Sequence, residues 1–434
     1  MGKYISKTII IALILCSVCF VTYKFYDVSN VENTSTKNIK QNNNMLSMML
    51  ETEAKSGQYE MTTSSTWSTD GYIFNSELSK CENGGTLSWD DINKKVVFEG
   101  NNIDKCYVYF DIKLKYHESC NDNTLSCYVA KKYTGTQGEN NVYYHDSILT
   151  NGAEDNSYRF AGANPNNYVC FGSDDTTCPT ENLYRIIGVI DGKVKLISAD
   201  GGTTDMLGTD GGYKNTYSGT ALSSNYYKGT GDLSKIGVYA WNSKSVNSWI
   251  DCIINITNLN SNFLTYLDNK NVKWKNMIAD TTWYVGGVSD DNARNSNAKT
   301  TYNYETGLNK DTTSVTSKVG LMYLSDYYYS AKYDHWTLPG VDLMGGNDYS
   351  KAADDNWMYI GLEEWTISRI TDYSSNAFGI FDAGNIGGFT VNGYEAARPT
   401  FNLISSVTYV SGTGTSTDPI RVKIWYLFQG IFFL

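Results

Sequence analysis

The sequence predicts an α+β protein with a large C-terminal domain, a small all-β module before it and an apolar segment at the N-terminus. Three observations carry that prediction. Leu183–Val189 and Val194–Ile197 flank an Asp191-Gly192 pair, the turn chemistry of a tight β-hairpin. Val246–Leu267 instead repeats its apolar residues at helical spacing, from Val246, Trp249, Ile250, Ile253 and Ile254 to Leu259, Phe263, Leu264 and Leu267. The composition, with 35 Tyr and 38 Gly against 5 Pro, favours strands and polar loops over helical bundles.

At the N-terminus, Lys3 and Lys7 precede the apolar run Thr8–Tyr23, and Lys24 follows it. The run is slightly shorter than the ~20 residues of an average spanning helix, but lysines at both ends can snorkel to the interfaces. Residues 1–27 therefore read as an uncleaved signal-anchor transmembrane helix with its N-terminus inside. The rival reading is a cleaved secretory signal, and both export the rest of the chain. Residues 28–60 read as a polar stalk followed by a short helix, because Met45, Leu46, Met48, Met49, Leu50 and Ala54 lie on or near one helical face. Residues 61–112 alternate apolar and polar positions between Asn, Gly and Asp turns, which predicts short hairpins in a small β-module.

Nine cysteines fit a disulfide-permissive, extracellular compartment. With Cys16 and Cys19 in the apolar run, local pairings are Cys81 with Cys106, Cys120 with Cys127 and Cys170 with Cys178, leaving Cys252 over; spacing alone leaves the connectivity open. A Cys81–Cys106 bridge would add roughly 2–4 kcal/mol to a module with little core of its own. Residues 113–180 read as a cysteine-containing loop region. Asp174 and Asp175 within it are possible calcium contacts, but no loop with ligands at alternate positions accompanies them. His117, His145 and His335 are too scattered for a zinc site, so no metal site and no cofactor is expected. A net charge of −11 excludes a nucleic-acid partner as the natural reading, because phosphate binding needs a basic face.

From residue 181 the chain becomes regular. The segments L-Y-R-I-I-G-V-I-D-G-K-V-K-L-I, T-N-L-N-S-N-F-L, I-A-D-T-T-W-Y-V-G-G, K-V-G-L-M-Y-L-S-D-Y, E-W-T-I-S-R, S-N-A-F-G-I-F and A-R-P-T-F-N-L follow in that order. This order resembles a family of uncharacterised bacterial surface domains, frequent in exported Firmicutes and Tenericutes proteins and related to the C-type-lectin-like fold of the formylglycine-generating enzymes. The resemblance covers about residues 181–422. It implies a C-type-lectin-like domain over 181–423 whose first and last strands pair, with any ligand site on long loops. The chain departs from the enzymatic branches: it has no cysteine after Cys252, and His335 is the one histidine after residue 181. Asp354-Asp355-Asn356-Trp357 only partly echoes the W-N-D of calcium-dependent lectins.

No nucleophile–base pair or G-x-S-x-G elbow is present, so no catalytic residue is assigned and the protein is expected not to be an enzyme. Glu363 and Glu364 are adjacent, so on a strand they face opposite sides. The expected ligand site is the aromatic and polar cluster Trp336, Asp354, Asp355, Asn356, Trp357, Arg369 and Tyr373, which has the composition of a sugar-binding face. Trp365 is expected in the core. Arg398 is expected to be structural, held by a carboxylate such as Glu364 or Glu395. The tail 424–434 is apolar but too short to span a bilayer. The reading is a membrane-tethered surface protein that binds a glycan or a surface protein; the alternative is a structural envelope or pilus-like component without a small ligand.

Overall fold

The computed structural model describes residues 46–62, 71–90, 92–93, 95–100, 104–220, 225–306, 313–338 and 349–424. The expected signal-anchor, the polar stalk and the tail beyond residue 424 lie outside them. Among the described residues no helix is long and apolar enough to cross a membrane. The chain divides into two compact units, Met1–Ser119 and Cys120–Leu434, both strand-rich, with short helices in a mixed α+β architecture.

The first unit is a four-stranded sheet in the order Tyr59–Met61, Leu46–Glu51, Cys106–Ile112, Tyr72–Cys81, with the hairpin Thr86–Asp90 and Lys95–Glu99. Its core is small: Val96, Val108 and Phe110, packed by Leu46, Met48, Leu50, Tyr72, Phe74, Leu87 and Trp89. The expected helix over 45–54 is corrected here, since Leu46–Glu51 is a strand parallel to Cys106–Ile112. Leu46, Met48 and Leu50 satisfy a period of two as well as a helical one, and the neighbouring strand edge decides between them. The Cys81–Cys106 disulfide joins two directly opposed residues of adjacent strands.

The second unit starts at Cys120, well before the expected boundary at 181. Residues 113–180 do not form a separate loop region: Val142–Tyr144, Tyr158–Phe160 and Tyr168–Cys170 all join the nine-stranded sheet of the large unit. Three-residue strands are too short to show an alternation in sequence. Cys120–Cys127 and Cys170–Cys178 are both bridged, and Cys252 is a buried free thiol.

The hairpin expected at Leu183–Ile197 forms, as strands Leu183–Ile190 and Lys193–Ser198. The second of these pairs with Thr400–Asn402, and Ile420–Ile424 lies parallel to Tyr168–Cys170. The early hairpin and the late R-P segment are therefore side by side. A second, six-stranded sheet runs Tyr213–Thr216, Gly237–Tyr239, Glu395–Ala396, Glu364–Arg369, Asn376–Ile380, Ile386–Thr390. Ile254–Phe263 is a wide π-helix that continues as the α-helix Leu264–Lys270, burying Ile254, Leu259, Phe263 and Leu267.

Glu395–Ala396 belongs to one sheet and Thr400–Asn402 to the other, so three residues, Ala397, Arg398 and Pro399, carry the chain between them. Arg398 sits in that gap, 2 % exposed. Its Nε donates to Glu364 Oε2 at 2.6 Å, and its Nη2 donates to Glu364 Oε1 and the Met358 carbonyl, each at 2.8 Å. Pro399 can occupy the switch because it has no N–H to leave unpaired. Removing one partner of a buried pair strands the other charge, so Arg398→Met should lower the unfolding free energy by about 3–5 kcal/mol in urea denaturation. Arg398→Met with Glu364→Leu should recover part of that loss; a single-variant loss below about 1 kcal/mol would contradict the assignment.

Candidate functional site

The expected aromatic face at 336–373 is not a face. Trp336 and Trp357 are 0 % and 2 % exposed, and their indole N–H groups donate to the carbonyls of Ala331 (2.9 Å) and Phe160 (2.8 Å). Asn356 is buried too, with Nδ2 donating to the Tyr327 carbonyl at 2.8 Å. These three are core residues, a correction whose cause is that each ring or amide finds a backbone acceptor inside the domain. Asp354 is exposed and paired with Lys228 at 2.6 Å, while Asp355 Oδ2 lies 3.0 Å from His335 Nε2. Arg369 Nε donates to the Val285 carbonyl, and Tyr373 is 53 % exposed. Trp365 is buried, its N–H donating to the Tyr239 carbonyl. The seven expected ligand contacts are thus not brought together.

The site that does assemble is a cavity of about 560 Å³ on the Lys193–Ser198 strand. Val194 and Leu196 bury one face of that strand, so Lys193 and Lys195 project from the other into the cavity, beside Asn402 of the paired strand. Tyr284 and Trp283, on the strand Thr281–Tyr284, and Tyr302 and Tyr323 supply aromatic walls; Thr281, Thr282 and Thr306 supply hydroxyls. Trp283 approaches because residue 320 is glycine: a Cβ there would lie 2.8 Å from the indole ring.

The cavity floor is a buried charge cluster. Gly188 lets the Tyr158–Phe160 strand come close, since a Cβ on it would meet the Tyr158 carbonyl at 2.2 Å, and this brings Arg159 inward. Arg159 Nη2 donates to Asp155 Oδ2 at 2.8 Å and Nη1 to Asp326 Oδ1 at 3.3 Å. Lys195 Nζ donates to Asp326 Oδ2 at 2.5 Å, with its charge 4.6 Å from the centre of the Tyr323 ring. Burial draws the Lys195 ammonium below the ordinary lysine range, against the pull of Asp326. Burial also raises Asp155, but Arg159 overrides it and holds that carboxyl below its usual range. Asp326 in addition caps the helix Leu324–Ser330, accepting from the Tyr323 N–H at 2.9 Å. Glu305 sits against the same helix start, accepting from the N–H groups of Leu324 and Ser325 and from the Ser368 hydroxyl, and burial pushes it up to about 7.

Among the described residues, one group of three potential metal ligands lies close together: Cys81, Asp104 and Cys106. Both sulfurs are already joined in a disulfide, and Asp104 accepts from the N–H groups of Asn83 and Gly85, so the donor set does not fit a metal. Asp174 is ion-paired with Lys273 and Asp175 accepts from the Ser173 hydroxyl, so neither is poised for calcium. Compared with known proteins, the chain matches no family model, no curated protein and no solved structure.

Sequence reasoning missed the cavity residues. The available signal was a pair of lysines two apart in a strand that is otherwise apolar, with Asp326 in the short S-D-Y run after another buried strand. Glu363 and Glu364 do diverge as expected: Glu364 faces Arg398, while Glu363 adds its charge to Glu395. Glu395 is buried, its Oε2 has no hydrogen-bond partner among the described residues, and desolvation followed by Glu363 pushes its carboxyl up to about 8. The native state then holds a proton that the unfolded chain has already released, so stability falls as pH rises from about 4.5 to about 8. Thermal melting across that range should show the decline, and Glu395→Gln should flatten it; parallel curves for the two proteins would contradict the assignment.

Proposed function

We propose that the chain is an exported, membrane-anchored bacterial surface protein that binds a neutral glycan in the cavity beside Lys193 and Lys195, without catalysing a reaction. The observation that carries the reading is the balance of the lining. Arg159, Lys193 and Lys195 face Asp191, Asp280 and Asp326, three charges of each sign, among aromatic rings and threonine hydroxyls. A strongly charged ligand gains little from such a wall. A ligand with apolar ring faces and many hydroxyls gains from both components. The three disulfides support an extracellular setting, because such bridges persist where the surroundings are oxidising.

A lectin-like topology is part of this proposal. The strand Thr400–Asn402 lies beside Lys193–Ser198, which supports the pairing of early and late strands that the resemblance implies. The ligand position differs from that expectation, since it moves from the 336–373 segment to the sheet face. Membrane attachment rests on the apolar run Thr8–Tyr23 and its flanking lysines.

The test is a glycan array probed with the full chain. Binding should weaken about tenfold or more in Tyr284→Ala, a half-exposed cavity aromatic, and be retained in Tyr373→Ala, which lies outside the cavity. Glycan binding unchanged by Tyr284→Ala and by Lys193→Ala would move the site elsewhere. No binding to any glycan would sink the ligand class.

A further inference from the structure

Most lysine–carboxylate pairs among the described residues are at the surface. Lys228–Asp354, Lys275–Asp268 and Lys299–Glu154 all have side chains about a third or more exposed. Lys195 and Asp326 differ: their side chains are 5 % and 2 % exposed, and among the described lysine–carboxylate pairs theirs is the one buried on both sides. They are 131 positions apart in the chain, and Nζ lies 2.5 Å from Oδ2.

Neither group can move away. Lys195 is in the middle of a strand paired on both edges, to Gly188 and to Asn402. Its Nζ is walled by the Tyr323 and Trp283 rings, 4.6 and 5.5 Å from their centres. The Asp326 carboxyl is held by Arg159 on Oδ1 and by the Tyr323 N–H on Oδ2. An amine and a carboxyl fixed in contact behave as if each were present at ~10⁵ M or more to the other. Keeping both ionised in a buried site costs several kcal/mol per ion, a cost a neutral amide does not carry.

We propose that Lys195 and Asp326 condense into an intramolecular amide joining Nζ to Cγ. The Nζ lone pair attacks Cγ, the N–C bond forms and the Cγ–Oδ2 bond breaks. Oδ2 leaves as water with two protons from the ammonium, so one positive and one negative charge vanish together. The reaction needs no oxidant and no cofactor. Nζ and Oδ2 are in direct contact, so the protons pass straight from the ammonium to the leaving oxygen. Arg159 keeps Asp155 at 2.8 Å and retains Oδ1 as the amide oxygen, so no charge is left uncompensated. The one bond lost is that from the Tyr323 N–H to Oδ2. The product is a covalent tie between the central sheet and the helix Leu324–Ser330 beneath the cavity. The amide removes one lining charge of each sign, so the balance on which the glycan reading rests is unchanged.

Mass spectrometry of the full chain tests this directly. After reduction of the disulfides and trypsin digestion, the native protein should yield a branched species joining Val194–Lys214 to Val319–Lys332, lighter than the two peptides together by one water. Trypsin should fail to cut after Lys195, which no longer carries a charge. Lys195→Arg keeps a cation beside Asp326 but cannot form this amide, so the branched species should disappear. Recovery of Leu196–Lys214 and unlinked Val319–Lys332 in full yield from the native protein would overturn the proposal, as would a branched species unaffected by Lys195→Arg.

Discussion

The large unit depends on a buried ion pair placed where one short segment changes sheets. Residues 395–402 start in the six-stranded sheet and end in the nine-stranded one, and Arg398 at the crossing is gripped by both oxygens of Glu364. A fork-to-fork pair fixes direction as well as distance, which a lysine in the same place would not do. Through the Met358 carbonyl the same guanidinium also holds the 356–358 segment, whose Trp357 plugs the region around Phe160. The register of the Thr400–Asn402 strand against Lys193–Ser198 follows, and with it the face on which Lys193 and Lys195 open into the cavity.

The cavity illustrates how charge is tolerated inside this domain. Arg185 is buried with no carboxylate partner among the described residues: it donates to Asn167 and to the carbonyls of Pro165 and Trp357, and lies over the Tyr168 and Trp357 rings. Burial accordingly depresses it, to about 10. Arg159 by contrast is met by Asp155 and Asp326 and is held above its ordinary range despite the cost of burial. The two arginines occupy neighbouring strands of one sheet, yet one is packed by aromatic faces and the other wired into a network. Networked charges facing a cavity are where chemistry or recognition is found, since their geometry is fixed and water is partly excluded.

Much of the scaffold was legible because it depends on local signals. The Asp191-Gly192 turn sets the hairpin, with Asp191 at φ 50° and Gly192 at φ 69°, conformations that such a turn requires. The three disulfides were legible because each closes within 25 residues or fewer. What failed was long-range. Trp336 and Trp357 carry the composition of a binding face, and only a carbonyl 197 residues from Trp357 reveals that its N–H is satisfied inside. Lys195 reads as a solvent-facing position by alternation, because a single strand cannot show what its polar face packs against. Arg159 stood in a segment with loop composition, since three residues of strand carry no period. The 45–54 run was ambiguous between two periods, and its neighbour strand chose.

If the Arg398 crossing binds the two sheets into one cooperative body, their innermost amides must open together. Native-state hydrogen exchange of the full chain measures this directly, comparing the Ala396 N–H, bonded to the Glu363 carbonyl at 2.9 Å, with the Leu403 N–H, bonded to the Val194 carbonyl at 2.8 Å. The account predicts equal opening free energies for both, matching global unfolding; exchange of one sheet by an opening that leaves the other protected would contradict it.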